Sequence, residues 1–300
     1  MQVYLNEGLV PLKEARVSVL DHGFLYGDGI YETMRVYEGV VFMIEEHIRR
    51  LEHSAFHIGL NLPKSPDEIK VSIYETLEAN GLKDAYLRLT VSRGAGPIGL
   101  DPSLCPNPTY FILAEDLKPY PRRFYDEGIS AVITKTRRNL KEAINPRIKS
   151  LNFLNNILAK IEAIKARADE ALMLNHMGHL AEGTVSNIFF VKRENGHRSL
   201  CTPSLDCGIL EGITRNIVIE LARRNDMKLI EGEFTPEDLL SAEEVFLTST
   251  IMEVMPVGKV DEVRYRVGEV TKLLGAEYGK EVAAYVSETK AAGPSIWGYE

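Results

Sequence analysis

Cysteine is scarce: Cys105, Cys201 and Cys207 are the only three in 300 residues, and none lie in a CxxC spacing. An odd, unspaced set supplies neither a disulfide framework nor a zinc site, and it fits a reducing cytoplasm. Excess positive charge is missing as well, since 35 Lys and Arg face 43 Asp and Glu for a formal charge of −8. Nucleic-acid backbones and anionic membranes both call for a basic surface, so neither is an expected partner, and a small-molecule substrate is. No run approaches the roughly 20 apolar residues of a membrane span. The opening MQVYLNEGLVPLKEARVSV has no basic segment followed by an apolar core, so no export signal is expected. No GxSxG elbow, no cysteine with a histidine partner by spacing and no GxxxxGK[ST] loop occurs, which removes acyl transfer and nucleoside triphosphate binding from consideration.

What is present is ordinary globular material, 45% hydrophobic and 26% charged, and long enough for two domains with separate cores. Strand-like stretches turn at Asn6-Glu7-Gly8 and at Glu38-Gly39. Ile44, Ile48, Leu51, Ala55 and Ile58 recur at helical spacing, and a second helix is expected over 66–80, ending at Asn80-Gly81. In AYLRLTVSRGAG, Tyr86, Arg88 and Thr90 share one strand face while Leu87, Leu89 and Val91 share the other. The polar, proline-bearing EDLKPYPRRFYDEG reads as a linker. Leu151, Leu154, Ile157, Leu158, Ile161 and Ile164 make a helical stripe, two strands flank NHMG, and EEVFLTSTIMEVMPV supplies one buried strand and a following loop. Strands and helices without regular βαβ repetition predict an α+β architecture.

Four residue groups could carry chemistry. Lys149 lies in NPRIKSLNFLNN, between Pro146 and the apolar stripe. Gly212, Ile213 and Thr214 in EGITRN open a helix, where unpaired N–H groups and the helix dipole favour an anion. Arg50 sits at the edge of a helical stripe, with Arg49 as its outward neighbour, and its planar fork suits phosphate. Glu182 in LAEGTVSNIFF enters an apolar strand, which is costly without a cationic partner. His53 with His57, and His176 with His179, lack a third ligand at metal-site spacing, so no metal is expected. A lysine, an anion cup, an arginine and a buried-edge carboxylate match the requirements of a pyridoxal phosphate site.

In order along the chain, DHGFLYGDGIYETMRVYEG, EEHIRRLEHSA, AYLRLTVSRGAGPIGLDP, NPRIKSLNFLNNILAKIEA, EGTVSNIFF, LEGITRN and TSTIMEVMPV resemble the class IV aminotransferases of pyridoxal phosphate fold type IV, over about residues 2 to 285. The resemblance implies a small N-terminal α/β-sandwich domain at 1–117, a linker at 118–128 and a larger pseudo-barrel domain at 129–300 that binds pyridoxal 5′-phosphate. It assigns Lys149 as the lysine that attaches the cofactor, Glu182 as the partner of its ring nitrogen, and Arg50, Ile213, Thr214, Ser249 and Thr250 as phosphate ligands. Leu210 joins this cofactor set. Tyr31, Tyr86, Arg88, Thr250 and Ile251 are the implied substrate contacts. The YLR and RGAGPIGLDP motifs resemble the branched-chain enzymes, whereas IYETMR, with Tyr31, resembles the D-amino acid branch. Phe153 stands where branched-chain enzymes usually carry a tyrosine that bonds the cofactor. The expectation is transamination of leucine, isoleucine and valine with 2-oxoglutarate by a ping-pong route, in a cytoplasmic homodimer or higher homo-oligomer. D-amino acid transamination and the aminodeoxychorismate lyase reaction are the alternatives.

Overall fold

A computed structural model describes residues 1–194 and 196–293; the stretch to 300 assigned to the C-terminal domain lies partly outside them. The chain divides into two units, one of Met1–Lys118, Ile148–Asn152 and the residues from Val282 onward, the other of Pro119–Arg147 and Phe153–Glu281.

In the first unit, β1 (Gln2–Leu5) and β2 (Gly8–Pro11) form the hairpin read from Asn6-Glu7-Gly8. A one-and-a-half-turn helix α1 (His22–Tyr26) follows, capped by the Asp21 side chain, which accepts from the Gly23 N–H. Next come β3 (Gly29–Tyr37) and β4 (Val40–Val41), joined through the Glu38-Gly39 turn. Helix α2 (Ile44–His57) buries Ile44, Ile48, Leu51 and Ala55, as their spacing predicts. Helix α3 (Pro66–Asn80) begins at a capping box between Ser65 and Glu68 and stops where Gly81 adopts φ 63°, a conformation glycine takes without a Cβ penalty. Strands β5 (Ala85–Ser92) and β6 (Thr109–Asp116) complete an antiparallel sheet of order β2-β1-β6-β5-β3-β4.

Alternation decides what each face of that sheet carries. Ile30, Met34, Leu87, Leu89 and Val91 join α2 and α3 in the core. Tyr31 pairs across with Thr90, Thr33 with Arg88 and Arg35 with Tyr86, so these six lie on the other face. Beyond Tyr37 the short β4 covers little of the free edge of β3, and 148–151 takes its far end. The Tyr31 N–H donates to the Lys149 carbonyl at 3.0 Å, the Leu151 N–H donates to the Gly29 carbonyl at 2.9 Å, and Ile30 bridges Ser150.

The second unit contains α4 (Arg122–Glu127), β7 (Ile129–Ile133), α5 (Leu154–Lys165), β8 (Glu170–Leu174), β9 (Leu180–Gly183), β10 (Asn187–Glu194), β11 (His197–Pro203), α6 (Ile213–Arg224), β12 (Lys228–Gly232), α7 (Pro236–Leu240), β13 (Glu244–Ser249), β14 (Glu253–Val260), β15 (Val263–Arg264) and α8 (Glu269–Ala291), the end of α8 counting with the first unit. Its sheet runs β12-β11-β10-β13-β14-β7-β8-β9, with β15 beside β14. The Leu180 N–H donates to the Phe234 carbonyl at 2.7 Å. That bond joins the start of β9 to the chain just beyond β12, so the two ends of the sheet curl toward each other in barrel-like form.

Four local expectations change. The polar linker stretch contains α4, and EVMPV is not a loop but the strand β14, paired antiparallel with β13. Pro146, expected to end a strand, instead lies in an irregular segment that runs from the end of β7 at Ile133 to Lys149. Helix α5 starts at Leu154, three residues after Leu151, and it buries Asn156, Ala159 and Ala163. The apolar stripe of α5 faces outward, with Leu154 68% and Ile164 63% exposed.

Candidate active site

Lys149 is placed by main-chain bonding. Its carbonyl accepts from Tyr31, its N–H donates to Ser54 Oγ of α2 at 3.2 Å, and its Nζ stands 4.7 Å from the centroid of the Tyr31 ring. The guanidinium carbon of Arg88 lies 3.9 Å from the same centroid. Both groups lie within cation–π distance of the Tyr31 ring. Burial pushes the Tyr31 phenol well above its ordinary value, and Arg88 offsets this only in part, so Tyr31 stays a neutral hydroxyl. Lys149, Tyr31, Tyr86 and Arg88 therefore belong to one cluster in the first unit.

On the opposite face of β3 lies a network that sequence reasoning passed over. Glu32 is fully buried and points toward α2, where Arg50 grips it with two nitrogens, Nε to Oε1 and Nη2 to Oε2, both at 2.8 Å. His47 Nδ1 lies 2.7 Å from Glu32 Oε2. Burial alone would raise the Glu32 carboxyl, but Arg50 and His47 outweigh it and hold it far below the usual carboxylate range. Burial lowers His47 despite the pull of Glu32, so the imidazole is neutral and donates its Nδ1–H to the carboxylate. Arg49 points out and Arg50 in, with side-chain exposures of 71% and 11%, as the edge position in the stripe suggests. The i, i+3 relation of His47 and Arg50 on a helix facing a strand was the available signal for this network.

The second unit carries the other predicted residues. Glu182 on β9 is buried and has the cationic partner its position calls for: Arg138 Nε donates to Glu182 Oε1 at 2.7 Å, while Arg138 Nη1 reaches Asn155 at 3.2 Å. The Leu210 N–H donates to Glu182 Oε2 at 2.9 Å, so Leu210 acts through its main chain in holding this carboxylate. Asn187 Nδ2 donates to the Leu210 carbonyl at 2.9 Å and lies 3.4 Å from Glu182 Oε2. An ionised carboxylate has about four acceptor positions, so these bonds leave room for one more donor.

Helix α6 opens with Gly212 at its N-cap and has no side-chain cap, which leaves the first-turn N–H groups of Ile213 and Thr214 without that partner. A Cβ on Gly212 would fall 2.1 Å from Asn187 Oδ1, so a side chain at this turn would displace the amide that bonds Leu210. Ser249 ends β13, and Thr250 and Ile251 form the turn into β14, with Ser249 Oγ accepting from the Met252 N–H at 3.2 Å. Phe153 occupies the N-cap of α5.

Residues 29–260 match the family model described as Amino-transferase class IV. The chain is 45% identical to a putative branched-chain-amino-acid aminotransferase of Methanocaldococcus jannaschii, over 93% of this chain and 95% of that one. It is 36% identical to the aminodeoxychorismate lyase of Bacillus subtilis, over 95% and 96%. Among solved structures it is similar to the branched-chain aminotransferase of the thermophilic archaeon Thermoproteus uzoniensis with norvaline, at TM-score 0.88 and 34% identity over 95% of each chain. The chain belongs to the class IV aminotransferases, and its two sheets have the fold type IV architecture of that family.

The family depends on pyridoxal 5′-phosphate, and the donor set fits it. Lys149 offers an amine for an aldehyde, Glu182 an acceptor for a ring N–H, and the Gly212 turn a main-chain cradle for a phosphate. Among the described residues no helix is long and apolar enough to cross a membrane.

Proposed function

We propose that this aminotransferase acts on L-branched-chain amino acids and passes the amino group to 2-oxoglutarate by a ping-pong route. The observation that carries the substrate class is the 45% identity, over nearly the whole chain, to the putative branched-chain enzyme of M. jannaschii. The YLR and RGAGPIGLDP motifs support it.

Bound pyridoxal phosphate supplies an aldehyde that takes up the amino group and a ring that accepts electrons when the substrate Cα–H bond breaks. Lys149 attaches the cofactor and, once released by the incoming amino acid, carries the Cα proton on Nζ as base and then acid. Glu182, held by Arg138 and Leu210, keeps a proton on the ring nitrogen. The N–H groups of Ile213 and Thr214 and the hydroxyls of Ser249 and Thr250 hold the phosphate, and Arg50, whose Nε and Nη2 are committed to Glu32, adds its positive charge. Tyr86 and Arg88, with the main-chain N–H groups of Thr250 and Ile251, orient the substrate carboxylate beside Tyr31.

The working form is a homodimer or a higher assembly of dimers. Leu154, Ile157, Leu158, Ile161 and Ile164 expose an apolar stripe along α5, and a continuous stripe of this kind marks an association surface. Three buried free cysteines support a reducing, cytoplasmic setting.

A D-amino acid aminotransferase is the second reading, favoured by Tyr31, and the lyase the third, favoured by the B. subtilis relative. The visible band of the purified holoenzyme separates them when L-leucine, D-alanine or aminodeoxychorismate is added. A change with L-leucine, reversed by 2-oxoglutarate, is expected; a response to D-alanine alone, or pyruvate release from aminodeoxychorismate alone, refutes the branched-chain reading.

A further inference from the structure

Two histidines on the outer face of α2 stand outside the machinery described above. His53 and His57 are one helical turn apart and both exposed, and their Nε2 atoms lie 3.0 Å from each other. Their ring centroids are 4.4 Å apart at an interplanar angle of 70°. Histidines at i and i+4 lie on one face of a helix, a spacing that lets both nitrogens reach one ion. The opposite face of this turn is anchored, since Leu51, Ser54 and Ala55 are buried, so the backbone that sets the spacing is fixed. The Phe56 ring, 5.8 Å from that of His57, crowds the outer ring from the side.

Metal–imidazole bonds are about 2.0–2.1 Å long. Two nitrogens 3.0 Å apart then subtend roughly 91–97° at the shared ion. That is the angle between neighbouring positions of a square-planar or octahedral ion; a tetrahedral ion would need the nitrogens about 3.3 Å apart. Square-planar nitrogen and oxygen sites suit copper(II) and nickel(II), and copper(II) binds most tightly of the first-row divalent ions. No third protein ligand joins the pair, since no group of three His, Cys, Asp or Glu among the described residues is placed to hold a metal.

We propose that His53 and His57 form a two-nitrogen surface chelate for a divalent transition ion of the copper(II) or nickel(II) type, water filling the other positions. The two Nε2 atoms are hydrogen-bonded to each other without an ion, and that bond already holds both nitrogens at the separation a shared ion needs. Because the chelate closes one turn of α2, the bound ion links to helix stability, and the folded protein melts higher in its presence.

The test is titration of the holoenzyme, freed of unbound cofactor, with copper(II) or nickel(II) salts. It is followed by calorimetry and, for copper, by electron paramagnetic resonance. One saturable site per chain is expected, with two nitrogen ligands in the copper spectrum. His53→Gln and His57→Gln should each weaken binding at least tenfold and leave a single histidine nitrogen, while His176→Gln should not. Circular dichroism checks that the variants fold, which their exposed positions favour. Absence of a saturable site in the wild type, or unchanged binding and spectrum in His57→Gln, overturns the proposal.

Discussion

Two buried carboxylate–arginine pairs, one in each unit, are built from the same groups and arranged differently. In Glu32–Arg50 the arginine commits two nitrogens to one carboxylate, and His47 adds a third donor to a fully buried group. In Glu182–Arg138 the arginine gives one nitrogen to the carboxylate and another to Asn155, and main-chain and amide donors complete the set. A buried charge gripped by a bidentate fork is part of the scaffold, because loosening it leaves an unpaired ion in the core. A carboxylate held from the side by one arginine nitrogen and a loop N–H keeps an acceptor position available to a ligand. Glu32 acts through the arginine it fixes, whereas Glu182 keeps an acceptor position of its own.

Lys149→Ala gives the largest effect if the first unit is scaffold around one reactive amine. Turnover should fall by at least about 10³-fold, the scale of a lost positioned base, with near-wild-type far-ultraviolet circular dichroism. A variant that keeps a tenth of the wild-type rate breaks the assignment of Lys149.

Association is the next largest expected effect, and it isolates the second unit. Burying a leucine or isoleucine is worth about 1.5–3 kcal/mol, so Leu158→Asp with Ile161→Asp should raise the dimer dissociation constant at least about 100-fold. Sedimentation velocity that finds the doubly substituted protein fully dimeric at micromolar concentration contradicts the role given to the exposed face of α5.

The pH dependence sharpens the scaffold side. His47 has a folded value below its ordinary one, so below about pH 6.5 the unfolded chain binds a proton that the folded chain does not. Stability therefore declines as pH falls through that value. Glu32 adds nothing in this window, because its stabilisation is fully present above the unfolded carboxylate value and is lost only at much lower pH. Denaturant unfolding at pH 7.5 and 5.5 should show a smaller difference for His47→Gln than for wild type. An identical difference removes His47 from the account.

Arg88→Lys is the mildest change. It keeps the charge but loses the planar stack over Tyr31, and KM for the amino acid should rise about fivefold for a contact worth roughly 1 kcal/mol. Steady-state kinetics that put the whole loss in kcat would place Arg88 in the chemistry instead.

Features set by local sequence are legible in it, and the reasons are physical. Helix α3 announces itself through Pro66 and Gly81, and α2 through a stripe whose inward face also orients Arg50, because caps and periodicity are local. The stripe of α5 was equally clear, yet it faces outward: periodicity reports that a helix has an apolar side, not what covers it. Lys149 was legible as a residue, but its docking on β3 depends on bonds to Gly29 and Tyr31 more than a hundred positions away. Glu182 called for a cation, and no spacing rule connects it to Arg138, 44 residues earlier. Glu32 was noticed as part of a motif and missed as the hub of a buried network, since a carboxylate in a strand gives no sign of the helix that will face it.

Glu32→Gln and Glu182→Gln, measured side by side for melting temperature and turnover with L-leucine, test the central distinction most directly. Glu182→Gln should lose at least about 100-fold in turnover while its melting temperature falls less than that of Glu32→Gln, because Arg138 keeps its bond to Asn155. Glu32→Gln should melt at least about 6 °C lower, because Arg50 and His47 lose their buried counter-charge. A Glu182→Gln protein that melts early and turns over normally, or a Glu32→Gln protein of unchanged stability, would contradict the account.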